Sequence, residues 1–187
     1  AGTLTVSNAI TATGTGSVTL ASDEIAITAA ITAGTGGAAL YPVTATNPIY
    51  LNAGTGAFYL SDGELDFITA PILTVGRTAH TGQIHIDSAI TVPNLTLVNN
   101  TGGIEIASSV TTTGTLALTA NGVGIVGAIT RTGGTLASTG GAVTLNAATG
   151  IGSIAGPTPI VVGTVGGTLS ATNTTSGDLY LQTTSTA

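Results

Sequence analysis

Cysteine, lysine, methionine and tryptophan are all missing from these 187 residues, and aromatic side chains make up only 3%. Without cysteine there is no disulfide framework, no thiol nucleophile and no thiolate zinc site. Charge is nearly as scarce, at 5% against roughly 25% in ordinary domains. Two arginines face eight acidic residues, a net charge of -6, which leaves little to neutralise a nucleic-acid backbone or an anionic lipid surface. Neither nucleic acid nor membrane is therefore expected as a partner. Every apolar run is broken by Thr, Gly, Ser or Asn well before the ~18 residues a membrane helix needs, which argues against membrane insertion. The first ten residues, AGTLTVSNAI, lack an initiating Met, a basic segment and a long apolar run, so the chain reads as an excerpt of a larger protein with any export signal outside it.

What remains is 28 Gly, about a fifth Thr, and aliphatic residues, with 42% hydrophobic content, enough to build a core. Internal periodicity organises them. Leu4-Thr-Val6, Ile25-Ala-Ile27, Ile84-His-Ile86, Ile104-Glu-Ile106 and Val123-Gly-Ile125 are apolar-x-apolar strand signals. Each is followed, at one fixed spacing, by an aliphatic residue and a Thr: Ile10-Thr11, Ile31-Thr32, Ile90-Thr91, Val110-Thr111 and Ile129-Thr130. Neighbouring first strands begin 21, 20 and 19 residues apart. A third signal follows after a variable spacer, at Val18-Thr-Leu20, Leu95-Thr-Leu97, Leu116-Ala-Leu118 and Leu136-Ala-Ser138. Gly82, Gly102, Gly122 and Gly141 punctuate the corners.

Three short β-rich segments in ~20 residues are too short for useful helices, and regular two-residue hairpin turns are missing. The repeat predicts an all-β fold, a parallel β-helix or β-solenoid, with roughly nine rungs of about 20 residues stacked at ~4.8 Å. Residues 1–187 are read as a single repeat domain, with 39–71 as irregular rungs or a bulged loop. Stacked rungs also explain the composition, since aliphatics stack inside, Thr suits the outer face, and like charges repeated every rung would repel.

The segments GIGS, PIVV and GTLSATNTTSGDLYL, with the earlier GTLALTANGVGIVGAITRTGGTLAST, resemble repeats of filamentous haemagglutinin-like bacterial exoproteins of the two-partner secretion type. The resemblance is best over 1–22 and 80–187. It implies a right-handed parallel β-helix in the shaft of a secreted, cell-surface bacterial adhesin. It carries no ligand. The family's Asn-Pro-Asn-Gly-Ile secretion motif is not present, Asn47-Pro48-Ile49 being only a fragment of it.

Candidate chemistry is sparse, and no catalytic, cofactor or metal site is expected. Asp66, His85 and Glu105 fall at the outward centres of similar strand signals and predict a vertical surface ladder. Asp62, Glu64 and Asp66 alternate as Ca²⁺-binding clusters do, but Ca²⁺ wants six to eight oxygens, and a solvated turn is the simpler reading. Tyr41, Tyr50 and Tyr59, nine residues apart, are a candidate ligand surface for glycans. Thr11/Thr13, Thr111/Thr113 and Thr130/Thr132 suggest an ice-binding array, interrupted by Gly34 and Pro93 in matching rungs. No strained elbow surrounds a Ser, and no Walker-type Gly-Lys-Ser/Thr exists. The expected function is a non-enzymatic extracellular shaft or filament subunit that self-associates end to end or laterally, with ice or glycan binding as the alternative. A polysaccharide-cleaving enzyme is the weakest reading.

Overall fold

A computed structural model describes residues 2–52, 58–121, 127–153, 156–164 and 167–184. It is a β-solenoid of about eight turns, one fewer than the repeat count predicts, with three strand-bearing faces. Face one carries β1 (Leu4–Val6), β4 (Ile25–Ile27), β7 (Ile49–Leu51), β8 (Phe58–Leu60), β11 (Ile84–Ile86), β14 (Ile104–Ile106) and β17 (Ile129–Arg131). Face two carries β2 (Ile10–Thr11), β5 (Ile31–Thr32), β9 (Ile68–Thr69), β12 (Ile90–Val92), β15 (Val110–Thr112), β18 (Leu136–Ser138), β20 (Ile160–Thr164) and β22 (Leu181–Thr183). Face three carries β3 (Val18–Ala21), β6 (Ala38–Tyr41), β10 (Leu73–Gly76), β13 (Leu95–Asn99), β16 (Leu116–Ala120), β19 (Val143–Ala147) and β21 (Leu169–Asn173). All strand pairings are parallel, as expected of a coil and not of hairpins.

Inward positions stack like on like. On face one Phe58, Ile49, Ile84, Ile104 and Ile129 form one column. On face three Leu73, Leu95, Leu116 and Val143 form another. All of these are buried, and each large aliphatic contributes about 1.5–3 kcal/mol by leaving water. Because every rung repeats the same alternation, a slip of one residue would turn a whole column outward, so the pattern fixes the register.

One register assignment is corrected. Ile129 does not follow Ile104 as a face-two residue; it pairs with Ile104 on face one, 25 residues later. Leu136-Ala-Ser138 is accordingly the face-two strand of that turn, paired with Val110–Thr112, and the face-three strand is Val143–Ala147. All three faces share the apolar-x-apolar pattern, so a lengthened corner shifts the count by one face. The signals Val123-Gly-Ile125 and Gly122 lie outside the described residues.

The other departure lies within 39–71. Elsewhere turns advance by 20–22 residues, as between β11 and β14 or β10 and β13, or by 25–27, as between β14 and β17 or β16 and β19. Across this stretch the advance is 35–37, from Ala38 to Leu73 and from Ile31 to Ile68. The chain enters face one as β7 and then supplies a second face-one strand, β8, which pairs beside it and packs against β4. Face one thus gains an extra strand here, and its ladder is broken between β4 and β8, which no strand pairing joins. Face three does not, since β10 pairs directly with both β6 and β13. Face two is interrupted: β9 pairs back to β5 and β12 forward to β15, and no pairing joins β9 to β12.

The short helix α1 (Asp62–Leu65) fills part of that interruption. Leu65-Asp-Phe67 reads as a strand by alternation, but Ser61 caps a helical turn instead. Its hydroxyl accepts from the Glu64 N–H while the Glu64 carboxylate accepts from the Ser61 N–H, a complete capping box. Asn52, which follows β7, adopts a left-handed φ of 58°. Asn tolerates that conformation better than most residues.

Glycine is required where corners stack. A Cβ on Gly102 would collide with the Gly82 carbonyl one rung below, and one on Gly82 would meet the Asn47 carbonyl. Gly102→Ala is expected to destabilise the fold by about 2 kcal/mol, read as a lowered urea midpoint with an unchanged slope.

Candidate functional site

The outward centres of face one bring two separately predicted features into a single column. Tyr59, Tyr50, His85, Glu105 and Thr130 are successive register partners. Parallel strands ~4.8 Å apart set rings one above another, and the Tyr50 and His85 rings stack at 4.8 Å with planes 10° apart. On its other side His85 Nδ1 lies 3.1 Å from Glu105 Oε2. The Thr132 hydroxyl donates to Glu105 Oε1 at 3.4 Å. Both members of the His85–Glu105 pair remain partly exposed, at 19% and 26%. The column therefore offers flat aromatic surface beside a carboxylate and an imidazole.

Asp66 is not in this ladder. Tyr50 occupies the place below His85, and Asp66 is the exposed residue that closes α1, where its N–H donates to the Asp62 carbonyl. The capping box that converts 61–65 into a helical turn removes Asp66 from any strand. Tyr41 is likewise separate from Tyr50 and Tyr59. It lies on β6 of face three, and the Arg77 guanidinium sits over its ring at 4.9 Å from the centroid. The tyrosine row is therefore a pair.

The acidic alternation turns out to be structural. Glu64 Oε1 accepts from the Ile27 N–H at 2.9 Å, and its other oxygen accepts from the N–H and hydroxyl of Ser61. Asp62 Oδ1 accepts from the Thr91 N–H, while Asn52 donates to the Ala89 carbonyl and accepts from the Asp62 N–H. Where an inserted strand breaks the ladder, these side chains satisfy backbone groups that a neighbouring strand would otherwise pair. Among the described residues no three His, Asp or Glu side chains converge as metal ligands would. Elsewhere Asp23 takes the N–H and hydroxyl of Thr44, and these hydrogen bonds hold its carboxyl below the ordinary range.

The threonine pairs are not one array. Thr11, Thr32 and Thr69 share a face-two column, and Thr91 pairs with Thr111 beyond the interruption. Thr111 is followed by Ala137 and Gly163, and Thr130 belongs to face one.

Two buried polar features lack an expectation from sequence. Asn99, 2% exposed at the end of β13, donates to the Gly82 and Gly103 carbonyls and accepts from the Gly102 N–H. Asn173, at the end of β21, likewise donates to corner carbonyls, those of Ser176 and Gly177. The chain does carry a signal for it, an Asn closing a face-three strand with Gly three or four residues on. His80 is fully buried in the corner one rung below Asn99, and neither ring nitrogen has a hydrogen-bond partner. Burial, reinforced by the Arg77 charge, pushes its pKa down to about 4.

Comparisons of the chain with protein-family models, curated proteins and solved structures found no match.

Proposed function

We propose that this chain is a length of rigid shaft from a secreted or cell-surface bacterial protein, an adhesin stalk or extracellular filament of the filamentous haemagglutinin-like kind, and that it is not an enzyme. One observation carries this reading: among the described residues a recurring set of buried and half-buried polar side chains holds one rung to the next. Asp62, Glu64, Asn52 and Asn99 all bond backbone from other rungs. Asn94 accepts from Thr115 one turn on, and Ser138 donates to Gly114 one turn back. Chemistry directed at the scaffold suits a part whose task is extension. Parallel strand edges and long flat faces also suit end-to-end or lateral self-association.

Immunogold labelling of the intact bacteria that make the protein tests this. Label on surface fibres of unpermeabilised cells is the expected result; label that appears only after permeabilisation overturns it.

The face-one column favours a second role on the same shaft, contact with surface glycans. Sugar C–H faces pack on flat rings while hydroxyls reach a carboxylate, and Tyr50, His85 and Glu105 supply both. On a glycan array, Tyr50→Ala and Tyr59→Ala are expected to lose any signal the parent shows. A signal unchanged in both variants removes this role.

A further inference from the structure

The interruption of face two leaves a cleft of about 560 Å³ between β9 and β12. Ile68, Ala70 and Val92 line it, Pro71 and Pro93 flank it, and Asp66 is its only charged lining residue. It narrows toward face three, where the Leu73 N–H donates to the Asn94 carbonyl and the rungs pair again. Leu65, buried at 2%, also lines it from α1.

Two strand edges look into this space. The Phe67 and Thr69 carbonyls accept from the Ile31 and Ala33 N–H groups, so these residues address β5. In a parallel strand the backbone groups of alternate residues point to opposite edges, so Ile68 and Ala70 turn theirs toward the cleft. On the other side the Ile90 N–H donates to the Ser109 carbonyl of the next turn, which leaves Thr91 facing back. Asp62 takes the Thr91 N–H and Asn52 the Ala89 carbonyl, so the chain caps the far edge itself, and Pro93 has no N–H to offer. The edge of β9 is the one positioned for pairing.

Charge identifies the occupant. Asp66 is exposed at the cleft, while the neighbouring carboxylates of Asp62 and Glu64 are engaged with backbone. Both arginines are also engaged, Arg77 with the Val43 carbonyl and Arg131 with the Gly134 carbonyl. A second copy of these 187 residues would bring no lysine and a net charge of -6. We propose that the cleft binds an extended segment of a different protein, paired along the β9 edge at Ile68 and Ala70, with small apolar side chains against Val92 and the two prolines and a lysine or arginine against Asp66. This is strand addition with one charged anchor.

The test is calorimetric titration of the whole chain with acetyl-Thr-Val-Lys-Val-Thr-Val-amide. Saturable binding is expected, weakened about tenfold when norleucine replaces the lysine or when the chain carries Asp66→Asn. Binding should be lost when alternate peptide nitrogens are methylated, because that removes the strand edge, and when Thr69→Trp fills the cleft. Asp66 and Thr69 are both exposed, and an unchanged circular dichroism spectrum verifies that each variant is folded. No saturable heat up to about 1 mM peptide, binding indifferent to Asp66→Asn, or equal binding of lysine amide alone would each overturn the proposal.

Discussion

Asn99→Ala is expected to cost about 4 kcal/mol, the largest loss from a single side chain outside the aliphatic columns. The amide closes a corner that spans two rungs, giving its N–H groups to Gly82 and Gly103 and its oxygen to the Gly102 N–H. Truncation leaves the Gly82 carbonyl and the Gly102 N–H unmet in a site that is 2% exposed, while the Gly103 carbonyl keeps the Ile84 N–H, and each unmet buried group costs about 1–3 kcal/mol. Size is not the reason, because the register partners of Asn99 in the next two rungs are Ala120 and Ala147, both buried. Asn99→Asp tests the hydrogen-bonding account. It keeps the shape but cannot donate to the two carbonyls, so it should be at least as destabilising as alanine at neutral pH. Urea unfolding that places Asn99→Asp near the parent would refute the explanation.

The second large effect is a dependence on acid. His80 is buried without a partner for either nitrogen, and burial and then Arg77 lower its pKa from 6.5 to about 4. The unfolded chain takes up a proton at His80 as pH falls through 6.5, and the folded chain resists until about pH 4. Between those values the unfolded state holds more protons, so stability is complete above pH 6.5 and declines as pH falls toward 4. The shift corresponds to about 3 kcal/mol. Among the described residues Arg77 is the charged group acting on the ring, and its guanidinium is held by the Val43 carbonyl and the Tyr41 face. Against a His80→Leu variant, the parent should therefore lose about 3 kcal/mol more between pH 7 and pH 4, measured as the divergence of their urea midpoints. Parallel pH profiles would mean that the ring takes up its proton as readily in the fold as in the unfolded chain.

Much of this architecture is legible in the amino-acid pattern, and the reason is specific. Ile84, Ile104 and their neighbours repeat at a spacing close to the true advance, so inward columns and outward residues such as His85 and Glu105 fall into place from alternation alone. The Val123–Ile129 copy fails for the same reason that the others succeed. An apolar-x-apolar triplet carries no mark of which face it belongs to, so a corner lengthened by a few residues moves Ile129 and Leu136 each to the preceding face. The place of Tyr50 below His85 is hidden because nothing in the pattern shows that 49–51 and 58–60 lie side by side on one face. Alternation misplaces Asp66 although Ser61 and Glu64 stand at capping-box spacing three residues apart, a local signal that outweighs a single period-two triplet.

The unequal strand count also gives the solenoid a mechanical character. A pull along the axis is shared among three columns of hydrogen bonds on most turns, each ladder running unbroken from rung to rung. At the level of β7 face two has no strand-to-strand link between β9 and β12, and one level below face one has none between β4 and β8, so the load there falls on side-chain contacts such as the Asp62 carboxylate to the Thr91 N–H and the Glu64 carboxylate to the Ile27 N–H. A force that the regular turns bear through a dense backbone ladder meets a few separable bonds at this point. Rupture under tension should begin around β8 and β9, at the two unpaired steps from β4 to β8 and from β9 to β12, and leave the regular turns above and below as intact blocks joined by the released chain.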